Sequence, residues 1–125
     1  EKVARRLNDY QLTGVRFSAI KSVVGRGSQK GRTLPAVKVD IIDASSAPLT
    51  PVNLFVIEAI RLAQGRDMMQ IQTKAGKKWG LFDKVNGTDA TRKDMLNGRS
   101  VKQIVRSWSD GVNAFRQART PYLIY

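Results

Sequence analysis

The last third of the chain is punctuated as two consecutive helices, which constrains the fold more than any other stretch. Thr88 suits an N-cap, and Asp89 follows where the helix dipole favours negative charge, so a helix is predicted over roughly 89–97. Asn97-Gly98 ends it, because Gly adopts the left-handed turn that closes a helix. Ser100 with Gln103 has the spacing of a capping box, in which each residue satisfies a free amide of the other. The helix opened there carries Val101, Ile104, Val105, Trp108, Val112 and Phe115 on one continuous apolar stripe. Pro121 stops it, and the chain closes with Tyr122-Leu123-Ile124-Tyr125. Residues spaced in this way pack into a core, so Trp108 and Phe115 are read as core rather than as ligand-stacking rings.

Upstream, Val3, Leu7 and Tyr10 fall at helical spacing over residues 2–11, and Thr13-Gly14 breaks the helix. Val15, Phe17 and Ala19 alternate with Arg16 and Ser18, and Val37, Val39 and Ile41 alternate with Lys38 and Asp40, which predicts two strands. Between them, residues 25–33 hold three glycines and no apolar residue, a flexible basic loop. Thr50 as N-cap and Pro51 at the first helical position predict a helix to about Gln64, with Gly65 at its end. Its apolar stripe (Val52, Phe55, Val56, Ala59, Ile60, Ala63), widened by Leu54, Ile57 and Leu62, suggests a helix lying across a sheet and buried on most sides. Met69 and Ile71 can pair with Trp79 and Leu81 across a Lys74–Lys77 turn, a hairpin that such short apolar runs do not distinguish from helix. The expected architecture is α+β, a small mixed sheet covered by three to four helices. The 125 residues fit one domain. Because Val3, Ala4 and Leu7 already read as a helix in progress behind Glu1, the chain is expected to be a piece of a longer protein.

Composition narrows the chemistry. There is no Cys, hence no disulfide or thiolate chemistry, and no His, which removes the usual zinc sites and the Ser-His and Cys-His nucleophile arrangements. No apolar run approaches the roughly 20 residues that span a bilayer. The net charge of +12 is the one extreme, and it points to polyanionic partners rather than to a fold. Neither a metal site nor a cofactor site is expected.

Two constellations have residue types that can carry chemistry. Gly25, Gly27 and Gly31 could cradle a phosphate, but a strand follows instead of the helix whose N-terminus a dinucleotide site needs, so the surface-loop reading is favoured. Asp83 and Asp89 are the only close carboxylates in a turn with Asn86, Gly87 and Thr88. Paired carboxylates can run glycoside hydrolysis, yet Asp83 more often caps a turn and Asp89 more often sits on a helix dipole, so no catalytic residue is assigned. Arg92 lies three residues after Asp89, which predicts an ordinary ion pair between them; if it points into a cleft, it can grip a carboxylate with two hydrogen bonds. Arg26, Lys30 and Arg32 in the loop, with Lys77 and Lys78 beside Trp79, are the candidates for anion binding. A basic nucleic-acid-binding module is therefore the alternative reading.

Phe82-Asp83, Asn86-Gly87-Thr88-Asp89, Arg92, Leu96, Gly98, Ser100, Ile104, Trp108, Phe115, Arg119 and Tyr122-Leu123-Ile124-Tyr125 together resemble the carboxyl end of a bacterial family. That family was long carried as a domain of unknown function and is now associated with exo-acting β-N-acetylmuramidases of peptidoglycan recycling. Leu12 to Phe17, the Val37–Asp43 strand and Pro51 extend the resemblance over most of the chain. It implies a non-catalytic α+β domain that packs on an N-terminal catalytic domain and helps form its glycan cleft. Asp83, Asn86, Thr88, Asp89 and Arg92 would then face the cleft or the partner domain, and Leu123–Tyr125 would be docked. The implied partners are that catalytic domain and cell-wall glycan or another polyanion. The implied location is the cell envelope, periplasmic or secreted. One departure stands out: family members usually carry an aromatic, proline-containing stretch after the first strand, where this chain has the basic 25–33 loop.

Overall fold

The computed structural model describes residues 1–124, and these divide into two compact units, Glu1–Arg66 and a second beginning at Asp67. The first unit contains α1 (Lys2–Asp9), β1 (Val15–Val23), β2 (Thr33–Ile41) and α2 (Leu49–Gln64). The two strands pair antiparallel, from Val15 opposite Ile41 to Val23 opposite Thr33. The α+β class is as expected, and among the described residues the sheet is this one hairpin. The basic loop continues the ladder by one step, with the Gly31 amide donating to Val24 and the Val24 amide to Arg32.

Two polar devices fix this unit. Asn8 on α1 imitates a neighbouring strand: its side-chain amide donates to the Phe17 carbonyl at 2.8 Å and its oxygen accepts from the Phe17 amide at 3.1 Å. Phe17 is thereby pinned beneath α1, and Ala4, Leu7, Val15, Leu54, Phe55 and Ala59 are buried with it. Tyr10 donates to the buried Glu58 at 2.6 Å, Arg61 stands 3.7 Å from the same carboxylate, and the Tyr10 ring tilts against Phe55 at 4.9 Å. Burial, reinforced by the Glu58 carboxylate, pushes the Tyr10 phenol well above its ordinary value.

The α2 helix departs from expectation in two respects. It begins at Leu49, so Thr50 lies inside the first turn and does not act as the N-cap. It packs on α1 rather than flat on the sheet, and an open apolar groove of about 480 Å³, lined by Val3, Pro35, Val37, Val56 and Ile60 among others, separates it from β2. Its C-terminus is as predicted, with Gly65 at φ +64°.

The second unit is helical: α3 (Met68–Lys74), α4 (Gly80–Asn86), α5 (Ala90–Leu96), α6 (Val101–Ser107), α7 (Ser109–Arg119) and a 3₁₀ turn, Thr120–Tyr122. The hairpin considered for residues 66–82 does not form. Asp67 caps α3 by accepting the Gln70 amide at 3.0 Å, and the Trp79 indole N–H donates to Thr73 on the same helix at 2.9 Å. The Ser100–Gln103 capping box is present as read. The long stripe it opens is broken at Trp108 into α6 and α7, where the Ser107 hydroxyl donates to the Ile104 carbonyl at 2.6 Å and the Ser109 hydroxyl to that of Arg106, local bonds that compete with the helical ladder. Val101 and Ile104 are buried with Met69 and Met95, but Trp108 is only half-buried and Phe115 is exposed, so the core reading fails for Phe115. Docking of the tail is not seen among the described residues: Ile124 is 95% exposed, and Tyr125 lies outside them.

Candidate functional site

The α4–α5 turn gathers the residues singled out in the sequence. Gly87, at φ +72°, ends α4 and reverses the chain. The N-cap of α5 is Asp89 rather than the expected Thr88 and makes no side-chain cap bond, while the Thr88 hydroxyl accepts the Ala90 amide at 3.1 Å just ahead of it. The reversal folds α5 back along α4 and brings together Asp83 and Arg92, nine residues apart. The Arg92 Nε donates to Asp83 Oδ1 at 2.8 Å and an Arg92 Nη to Oδ2 at 2.9 Å, a two-pronged grip between two half-buried side chains. Asn86 donates to the Phe82 carbonyl at 2.8 Å, which locks the last turn of α4.

This arrangement revises the ion pair expected between Asp89 and Arg92. Asp89 stands 4.0 Å from Arg92 but 2.6 Å from Lys93, so its closer partner is one residue further along. Asp83, read as a turn cap, instead takes the guanidinium. The Arg92 hydrogen bonds hold the Asp83 carboxyl below the usual aspartate range, and Asp83 in turn raises Arg92. A general acid needs the opposite, a carboxyl held neutral near pH 7. The geometry therefore suits a brace between helices and not proton donation.

The brace makes a pH prediction. A carboxylate whose folded value is depressed stabilises above its unfolded value and loses that contribution as pH falls through the folded one. Asp83→Asn is expected to lower the urea midpoint by a constant amount above about pH 5, and the gap should close below about pH 4. Asp43, held down to about 2 by hydrogen bonds from Ser45 and Ser46, titrates in the same direction, but it is common to both proteins and cancels in the difference. A gap that persisted unchanged to pH 2 would show that Asp83 contributes nothing as an anion.

The other candidates stand apart from this turn in the chain. Arg26, Lys30 and Arg32 are exposed on the hairpin loop, with Arg32 donating to Gln29. Lys77 donates to Gln72 at 2.6 Å and lies 4.6 Å from the centre of the Trp79 ring, while Phe82 meets the same ring edge-on at 5.9 Å. Trp79 is thus engaged on several sides by its own unit. Among the described residues no three acidic side chains stand close enough to hold a metal ion.

Against known proteins, the family described as "Exo-beta-N-acetylmuramidase NamZ, C-terminal" matches residues 1–125, the whole chain. The chain belongs to that family. Among curated proteins, the peptidoglycan beta-N-acetylmuramidase NamZ of Bacillus subtilis (strain 168) is 29% identical over 119 residues, which is 95% of this chain and 27% of the relative. A DUF1343 family protein from Bacteroides fragilis NCTC 9343, known from its crystal structure, superposes with a TM-score of 0.83 at 22% identity, over 99% of this chain and 32% of that one. The NamZ-family chain thus spans about a quarter of the curated relative and about a third of the solved protein.

Proposed function

We propose that this chain is the non-catalytic C-terminal domain of a two-domain, peptidoglycan-directed β-N-acetylmuramidase, and that it packs on an N-terminal catalytic domain and forms one wall of its glycan cleft. Family membership over the whole length carries this reading. The α4–α5 turn supplies a suitable wall. Its two helices are braced by Asp83 and Arg92, and α4 turns Leu81 and Val85, 78% and 74% exposed, outward on one face. Apolar side chains so exposed on a braced helix favour cover by another domain. On this reading the protein works in the cell envelope, periplasmic or secreted, where its wall glycan lies.

The nucleic-acid alternative rests on the charge of +12. Single-strand binders stack bases on free aromatic faces. Trp79, the one ring flanked by lysines, is instead held by Thr73, Lys77 and Phe82. The glycan reading is preferred.

The test is turnover of an N-acetylmuramoyl substrate. The chain alone is expected to have none, and the two-domain protein to be active. Leu81→Asp with Val85→Asp in that protein is expected to cut turnover by about tenfold or more, the effect of losing an interface anchor. The melting temperature of the separate chain should hardly change, since both side chains are exposed. Hydrolysis by the separate chain would overturn the non-catalytic role, and full activity of the double variant would remove α4 from the interface.

A further inference from the structure

The first unit carries a second concave surface that the cleft reading does not use. A groove of about 310 Å³ runs between α1 and the last turn of α2, lined by Lys2, Arg5, Arg6, Asp9, Leu62 and Ala63. Residues 2, 5, 6 and 9 follow the i, i+3, i+4, i+7 spacing, so α1 turns three cations and one carboxylate to the same side. Elsewhere the cations Arg61, Arg92, Lys93 and Arg99 are committed to carboxylates. Among the described residues, Lys2, Arg5 and Arg6 form no ion pair. Three cations against Asp9 leave a net +2, which outweighs the roughly half charge at the C-terminus of α2.

The lining also discriminates between anions. A phosphate polymer carries a charge on every unit and would meet the Asp9 carboxylate as well as the arginines. A carboxylate-bearing sugar suits all the lining groups at once. Its carboxylate takes the guanidinium N–H donors, its hydroxyls donate to Asp9, and its C–H face lies on Leu62 and Ala63. The volume is at the lower end of the range for small-ligand sites, about 300–1,000 Å³. We propose that this groove is a secondary glycan site for a carboxylate-bearing saccharide unit, built from residues of the first unit alone. Choosing a wall sugar among acidic sugars rests on the peptidoglycan reading; the anion site itself does not.

Amide shifts of the ¹⁵N-labelled chain, titrated with N-acetylmuramic acid and with N-acetylglucosamine, test it, because the two sugars differ by the lactyl carboxylate. N-acetylmuramic acid is expected to move the amides of α1 and of Leu62 and Ala63, and N-acetylglucosamine to leave them in place. Arg5→Gln with Arg6→Gln should weaken binding by about tenfold or more, as the loss of charge-assisted bonds implies. Arg26→Gln with Lys30→Gln and Arg32→Gln should not weaken it. All substituted positions are exposed, so circular dichroism and melting should match the parent, and Lys2→Gln alone should give a smaller loss in the same direction. No α1 shifts, equal shifts from both sugars, or binding indifferent to the arginines would overturn the proposal. So would a duplex oligonucleotide that bound through the same arginines and displaced the sugar. Shifts confined to residues 81–92 would refute the groove and leave the cleft reading standing. Groove binding alongside an inactive two-domain protein would do the reverse.

Discussion

Gly14→Ala is expected to cost about 2–5 kcal/mol, one of the largest losses available from adding a single methyl group to this chain. Gly14 sits at φ +74°, where an L side chain costs roughly 1–2 kcal/mol. It is also overlain by the turn that follows β2. A Cβ at this position would stand 2.3 Å from the Asp43 carbonyl oxygen, 2.7 Å from the Ser46 hydroxyl and 2.8 Å from the Ala47 amide. Two of these are backbone atoms, and they cannot swing aside. The Gly14 carbonyl meanwhile accepts the Ile42 amide at 2.8 Å and the Asp43 amide at 3.2 Å, so retreat would break the bonds that close the hairpin. Forced overpacking adds about 1–3 kcal/mol. Against a typical total of about 5–15 kcal/mol, the variant would be marginal. Gly27→Ala is the control: at φ +80° with no atom within 4 Å, it carries the backbone strain without the clash. Urea midpoints of the two variants separate the effects, and equal losses would mean that the turn does not press on Gly14.

Gly14 was legible as a break between helix and strand, but the close approach was not, because it depends on a turn some thirty residues away. The same division runs through the chain. Local signals carried through: β1 and β2 form as strands, Gly65 ends α2, and the Ser100–Gln103 box closes, all within a few residues. The apolar alternation of β2 does not carry into burial, because Val39 and Ile41 are exposed. Residues 66–82 misled because α3 and α4 are seven residues each, too short for a 3.6-residue period to stand out from an alternating one. Asp67 followed by Gln70 three residues later is the start signal that would have identified α3. In the site, Arg92 near Asp89 was visible as helical spacing, whereas the grip on Asp83 arises only when α5 folds back on α4. The cations of α1 stand in the sequence at positions 2, 5 and 6, but the groove they line exists only once the last turn of α2, some fifty residues on, packs beside them.

The apolar stripe from Val101 to Phe115 supports the second large effect, and it is expected to be graded along its length. Ile104→Ala should cost about 2–5 kcal/mol, the range for removing a fully packed aliphatic side chain, since Ile104 is 1% exposed. Phe115→Ala should stay within about 0.5 kcal/mol, since the ring is 65% exposed and α7 buries none of its residues. Trp108, half-buried at the break between the helices, should fall between them. Sequence periodicity assigns all three to one face and predicts comparable losses; burial in the folded chain does not. Urea midpoints at constant slope decide the matter, because an unchanged slope shows that each variant unfolds over the same surface. If Phe115→Ala cost as much as Ile104→Ala, the α7 face would be covered in solution, and a loss that grew with protein concentration would identify the cover as a second copy of the chain.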